Sequence, residues 1–526
     1  MKALRHLSRQ GFNQLNRGIY KIPKSKNQSH MMITRGFYDL TTETSIQMSK
    51  KYLVNNYGGI IPFAVKHAAG PFVSDGNKVL FDNCAAYSSV TGGHNALPIT
   101  NAAINYINNG QAIHPSRAFY NQVLPQVAER YSNMAESALA KPENGTVQVI
   151  PANGGVEAVE GALKVARRYK FITTGIADEN QITVTCRGNF HGRTIEVIAG
   201  NEDPMMNEGF ASNQRQFEMA EFNNIDSLIS IFETHGDHIS SFLVEPIQGE
   251  GGVKVGNPEF FECARQLCNQ YGALFIADEV QTGGHRTGPF FAATHPHFEG
   301  KCQPDIITLG KAINPILPVS MVLVRESIGN ALIPGTHGST WGGNPFAMAI
   351  SNATLDYYAD IDLEHQMTQI GETLTKTLHD CQKHNPTIKD IRGLGSMIAI
   401  EFETADAAIY YKKRLFTEGT RQGIEITKAL IGTETDFNYD EFIGKPLQGI
   451  ALKLTEEDRT MRVNPTILTQ NQLECVCELY KGALLEHKNP EPDQVYIKSP
   501  TKPQKKYHEQ MAHAEIEKSH LNFLVA

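Results

Sequence analysis

Two short apolar runs in this chain each end in a residue that can do chemistry. Gly272-Ala273-Leu274-Phe275-Ile276 leads into Ala277-Asp278-Glu279-Val280-Gln281-Thr282-Gly283, and Asp305-Ile306-Ile307 leads into Thr308-Leu309-Gly310-Lys311-Ala312. The first run reads as a buried strand. Asp278 then stands at its carboxyl end, where open α/β sheets place their ligands. The second run repeats the arrangement, and Lys311 emerges just beyond it. A lone lysine after a strand is ordinarily a solvated charge. Together with the Asp-Glu-Val-Gln-Thr-Gly run it takes on another meaning. An acid that keeps a ring nitrogen protonated, beside an amine that bonds a carbonyl carbon, is the pair that pyridoxal 5'-phosphate (PLP) requires.

Three further loops follow strand-like runs. Asn153-Gly154-Gly155-Val156-Glu157-Ala158 opens a helix in which Val156, Val159, Leu163 and Ala166 recur at helical spacing. Glu157 and Glu160 come early and Arg167 and Arg168 late, as the helix dipole prefers. Free amides at such a start bind phosphate, and the glycines let oxygen approach; alone, a glycine pair is a turn signal. Neither GxGxxG nor GxxxxGK[ST] occurs, so a nucleotide site is weakly supported. Gly188-Asn189-Phe190-His191-Gly192-Arg193-Thr194 follows Ile182–Cys186, and by itself reads as a polar loop with a core-facing phenylalanine. Val244-Glu245-Pro246-Ile247-Gln248-Gly249-Glu250-Gly251-Gly252 carries two carboxylates, but no histidine or third acid accompanies them to make a metal site. No metal is expected.

Taken together, these motifs resemble the class III, fold-type I aminotransferases, a PLP-dependent family, over roughly residues 45–485. The resemblance is strongest to the branch that acts on ornithine. It implies that Gly154, Gly155 and Val156 hold the cofactor phosphate, Phe190 stacks on the ring, and Asp278 faces the ring nitrogen. Gln281 would reach the ring's phenolic oxygen. Lys311 would be the covalent anchor and, once displaced, the base that shuttles a proton. Arg193 would approach a substrate carboxylate. Tyr87, in Ala86-Tyr87-Ser88-Ser89-Val90, would orient the substrate, and it argues against 4-aminobutyrate as the donor. Glu250 would pair with Arg462, in Met461-Arg462-Val463-Asn464-Pro465, so that one site receives both a distal amine and a dicarboxylate. Glu245 reads as structural. Thr340, in His337-Gly338-Ser339-Thr340-Trp341-Gly342-Gly343-Asn344-Pro345, would reach the phosphate of a partner subunit, which implies a homodimer or higher homo-oligomer. Ser116-Arg117-Ala118-Phe119-Tyr120-Asn121 also matches the ornithine branch. The chain departs from the family at the short loop Tyr57–Pro62, at Ile313-Asn314-Pro315-Ile316 after the lysine, and at an insertion before Arg462.

The implied activity is transfer of the distal amino group of L-ornithine to 2-oxoglutarate, giving glutamate-5-semialdehyde and glutamate. Acetylornithine, 4-aminobutyrate or lysine as the donor are the nearest alternatives. A non-catalytic protein that kept the fold is a different class of reading, and intact Lys311, Asp278 and Gln281 argue against it.

The elements that must position these residues follow from pattern. Strands are expected at 146–150, 182–186, 241–244, 273–277, 305–309 and 319–324, alternating with helices as in an α/β layer. The resemblance implies a large PLP-binding domain at 101–354 built on a mainly parallel, seven-stranded type of sheet. A strand-and-loop segment at 42–100 would precede it, and a smaller α+β domain at 355–488 would follow. Residues 430–460 read as a surface insertion and 489–526 as a flexible tail. At 526 residues, with 41% hydrophobic and 20% charged, the composition is that of a globular protein without a transmembrane run. A net charge of -8 gives no support to nucleic-acid binding. The eight cysteines form no CxxC pair, as expected of free thiols. Residues 1–38 carry Lys2, Arg5, Arg9, Arg17, Lys21, Lys24, Lys26 and Arg35 and no acid. That composition suits a targeting segment for the mitochondrial matrix, or else a basic tail on a cytoplasmic protein.

Overall fold

The computed structural model describes residues 40–485 apart from 57–60, 141–144, 211–212, 433–434 and 456–458. The basic segment 1–38, the tail 489–526 and most of the loop Tyr57–Pro62 lie outside the described residues. At the centre is a seven-stranded sheet. In spatial order it runs Val147–Ala152, Ser320–Arg325, Ile306–Leu309, Leu274–Glu279, Ile239–Val244, Ile182–Cys186 and Phe217–Ala220. Ser320–Arg325 is antiparallel to its two neighbours and every other pairing is parallel. The middle strands are buried along their whole length because helices cover both faces, which is why they read as unbroken apolar runs. The expected strands all form. The edge strand Phe217–Ala220 was not among them, since Phe217-Glu218-Met219-Ala220 contains no β-branched residue.

Alternation along Leu274–Glu279 separates two adjacent acids. Successive side chains point to opposite faces. Asp278 turns toward the loops at residues 188–193, while Glu279 turns away and accepts the amides of Ala292 (2.6 Å) and Ala293 (2.9 Å). Register places Asp278 opposite Thr308 and Glu279 opposite Leu309, so Lys311 leaves its strand beside the aspartate.

The amino-terminal strands do not stand alone. His67–Ala69, Phe72–Ser74 and Val79–Asp82 form a small sheet completed by Leu447–Ala451, which runs parallel to Val79–Asp82 with Ala451 opposite Asp82. Phe72 and Phe81 share one core with Tyr358, Met367, Leu374, Ile400, Met461 and Leu479. The second small sheet runs Ile388–Leu394, Met397–Phe402, Thr460–Val463, Lys453–Thr455, all antiparallel. Residues 430–460, read from composition as a surface insertion, thus include a strand with Leu447, Gly449, Ile450 and Ala451 buried. Its polar flanks masked a five-residue strand. The helix Pro345–Asp360 runs unbroken past position 355, where a new unit was expected to begin.

Arg286 ties these parts together. It has no exposed surface, and burial pushes its guanidinium down to about 10. Nη1 donates to Pro465 O (2.5 Å) and Ser396 Oγ (3.0 Å), and Nη2 donates to Thr91 Oγ1 (3.0 Å). One side chain therefore joins the loop after Leu274–Glu279 to both small-sheet regions. Arg286→Met keeps the volume but orphans these acceptors, which costs on the order of 2–4 kcal/mol. Calorimetry of the purified protein should show a lower unfolding temperature. An unchanged transition would mean that the arginine is not what joins the units.

Candidate active site

The carboxyl ends of the central strands bring the singled-out residues to one place. Asp278 is 4% exposed, and an isolated anion there would be costly. Its Oδ2 receives His191 Nδ1 at 2.7 Å, and its Oδ1 accepts Thr308 Oγ1 (3.0 Å) and the amide of Val280 (3.1 Å). The histidine is itself buried, and its Nε2 has no partner. His191 was in view within the Asn-Phe-His-Gly-Arg run but received no role from sequence; the structure makes it the aspartate's principal partner.

Glu245 holds the floor of the site. Its carboxylate accepts the amides of Phe190 (3.0 Å) and Gly249 (3.1 Å), which clamps two strand-end loops together. Burial pushes the carboxyl up to about 7. Phe190 is half-buried, with the exposed Arg193 guanidinium 5.5 Å from its ring centre. Gln281 is buried against Gly249, where any β-carbon would collide with Gln281 Oε1, and its Nε2 has no partner.

At the helix Gly155–Thr174, the Glu157 side chain turns back to the amides of Asn153 (3.1 Å) and Gly154 (3.3 Å). The amides of Gly155 and Val156 follow in the first turn, where no intrahelical acceptor exists for them. Gly155 is required by packing, since a β-carbon there would lie 2.6 Å from Val280 Cγ1. Lys311 leaves its strand with φ of +48°, a left-handed conformation that costs a non-glycine residue about 1–2 kcal/mol. Burial, and then the charge of Arg462, push its amine down to about 8.

On the opposite wall, Arg462 is 3% exposed and donates through Nη1 to Glu250 Oε1 at 2.7 Å. Its Nη2 is buried without a partner. Burial favours the neutral form of Glu250, but the adjacent arginine outweighs it and holds the carboxyl below its ordinary value. Tyr87 comes from Ala85–Ser88, four consecutive residues with φ between 44° and 76°. The adjoining turn is fixed by Asp82, whose Oδ1 accepts the amides of Cys84 (2.9 Å) and Ala85 (3.1 Å) while Oδ2 meets His94 (2.8 Å). The Arg462 guanidinium lies 5.3 Å and Lys453 Nζ 5.2 Å from the Tyr87 ring centre. Thr340 is exposed, beside Ser339, whose Oγ accepts from Asn153 Nδ2 (3.1 Å). Trp341 stacks on His114 at 3.8 Å. Among the described residues there is no cluster of metal-binding side chains.

The residues present fit PLP. Asp278 offers a buried anion, the buried Gln281 Nε2 offers an unused donor, and Lys311 offers an amine. Gly155 and Val156 offer amides at a helix start.

The family model for class-III aminotransferases matches residues 53–433. The mitochondrial ornithine aminotransferase of Arabidopsis thaliana is 36% identical over 69% of this chain and 74% of its own. Ornithine aminotransferase 2 of Staphylococcus saprophyticus is 34% identical over 69% of this chain and 87% of its own. Among solved structures, an ornithine aminotransferase from Toxoplasma gondii, described with PLP partly occupying its active site, superposes with a TM-score of 0.73. It is 27% identical, and the match covers 87% of this chain and 98% of that one.

The lowered basicity of Lys311 sets a pH dependence. Only the neutral amine attacks a carbonyl carbon. The rate at which apoenzyme captures PLP covalently should therefore rise with pH through a midpoint near 8. Borohydride trapping followed by mass spectrometry should locate the adduct on Lys311. A midpoint near the value of a solvated lysine, about 10.4, would contradict the buried placement.

Proposed function

The chain belongs to the class III aminotransferases, and we propose that within them it transfers the distal amino group of L-ornithine to 2-oxoglutarate. The products are glutamate-5-semialdehyde and glutamate. The observation that carries this reading is the Arg462–Glu250 ion pair beside Tyr87. A cation covered by a removable anion suits a site that must receive an amine-bearing donor and then a dicarboxylate.

PLP, when bound, supplies an electrophilic carbon and an electron sink. The chain's own residues do the rest. The amides of Gly155 and Val156, with Gly154 ahead of them, would hold the phosphate, and Phe190 would cover one ring face. Asp278, fixed by His191 and Thr308, would hold the proton at the ring nitrogen, and Gln281 would donate to the phenolic oxygen. Lys311 Nζ would anchor the cofactor and, once displaced, would serve as the base that shuttles a proton; burial pushes this amine down to about 8, which eases proton release near neutral pH. Arg193, at the mouth, takes the α-carboxylate of ornithine, and Tyr87 orients its chain. Glu250 keeps Arg462 from attracting anions in this half of the cycle. In the other half Arg462 is uncovered and binds a carboxylate of 2-oxoglutarate.

Thr340 is exposed within one chain, and a homodimer would bring it to the partner's phosphate. Residues 1–38 suit import into the mitochondrial matrix, and the staphylococcal relative keeps the cytoplasm as the alternative.

A panel of amine donors with 2-oxoglutarate as acceptor tests the substrate. L-ornithine should exceed acetylornithine, 4-aminobutyrate and lysine in kcat/KM by at least about tenfold, the effect of one lost charged contact. The product should be glutamate-5-semialdehyde by mass. A preference for acetylornithine would replace the donor but leave the family assignment intact.

A further inference from the structure

Releasing Arg462 to a substrate leaves Glu250 with a charge and no partner, in a place where only 31% of its side chain meets solvent. An unpaired carboxylate so placed is costly. A second cation stands beside Arg462, and its charge acts on Glu250. Lys453 lies directly opposite Arg462 in the antiparallel pairing of Lys453–Thr455 with Thr460–Val463, so the two side chains rise from the same face of the sheet. Its Nζ donates to Tyr87 OH at 2.8 Å and sits 5.2 Å from the same ring that Arg462 approaches to 5.3 Å. Asp82, a carboxylate in the turn before Tyr87, is already engaged by His94 and by the amides of Cys84 and Ala85. The field of Lys453 reaches Glu250 even in the paired state.

We propose that Lys453 is a positioning residue that receives Glu250 when Arg462 turns to a substrate carboxylate. Tyr87 parks the ammonium group while Glu250 is paired with Arg462. When a dicarboxylate takes Arg462, the lysine exchanges its neutral hydroxyl partner for the released carboxylate. The charge of Glu250 is then matched in both halves of the cycle, and opening the pair costs less. The inference rests on the exchange between Arg462 and Glu250 proposed above, and it adds the group that keeps a poorly solvated acid paired throughout.

Single-turnover absorbance of the holoenzyme, with ornithine or glutamate as donor, separates the two halves. Lys453→Met should slow the glutamate half-reaction at least about tenfold more than the ornithine half-reaction. The loss should fall mainly on apparent substrate affinity. Lys453→Arg should restore most of it. In a Glu250→Gln background, where no charge needs a new partner, Lys453→Met should no longer shift the ratio. Three results would overturn the proposal: equal slowing of both halves, an effect that survives undiminished in the Glu250→Gln background, or the same selective slowing of the glutamate half from Tyr87→Phe, which removes the parking hydroxyl and leaves Lys453 in place. If Glu250→Gln by itself leaves the ratio of the half-reactions unchanged, the exchange between Arg462 and Glu250 falls, and the role of Lys453 falls with it. If Glu250→Gln shifts the ratio and Lys453→Met does not, only the role of Lys453 falls.

Discussion

A carboxylate buried at the end of the central strand is the constraint around which this site is arranged. Asp278 is almost fully withdrawn from water, and a charge so placed persists only when surrounding groups compensate it. His191 supplies a ring N–H, Thr308 a hydroxyl and Val280 an amide. Each partner comes from a different stretch of chain, so the aspartate can be satisfied only when the strands are in register and the 188–193 loop is closed over them. Glu245 enforces that closure by holding the amides of Phe190 and Gly249. The same arrangement presents Gln281 and Lys311 on the aspartate's side of the sheet. A group needing an anion, a donor and an amine finds all three already fixed, with little left to reorganise on binding.

The opposite wall is built on a different principle. Tyr87 and Arg462 are far apart in sequence and meet because Leu447–Ala451 pairs with Val79–Asp82, after which the chain turns back through Lys453–Thr455 and Thr460–Val463. Here Arg462 is buried while Glu250 and Lys453 are only partly enclosed, and the two cations are arranged around one acid and one aromatic ring. In the proposed cycle this arrangement changes partners while the hydrogen bonds around Asp278 are kept. A fixed cofactor side and an exchangeable substrate side are what the proposed reaction, with two substrates of different charge, would need from one site.

Legibility in the sequence followed the strength of local pattern. The parallel strands were visible because burial on both faces makes them unbroken apolar runs ending in glycine-rich loops. Asp278 and Lys311 could be placed at one edge for that reason alone. Phe217–Ala220 escaped because an edge strand of ordinary residues has no such signature. Leu447–Ala451 was hidden by the polar residues around it, and its parallel pairing with a strand near the other end of the chain leaves no local trace. Lys453 escaped with it. Arg286 and His191 belong to the same lesson. A buried polar residue is defined by the acceptors that surround it, and those come from sequence positions that only the fold brings together.

The central proposal is that Asp278, held in place by hydrogen bonds from His191 and Thr308, keeps the cofactor's ring nitrogen protonated. Nitrogen-15 NMR of holoenzyme carrying ring-labelled PLP reads that proton directly. A pyridinium shift that persists across the neutral pH range is the predicted result. A shift characteristic of neutral pyridine in the active, cofactor-loaded protein would contradict the account at its foundation.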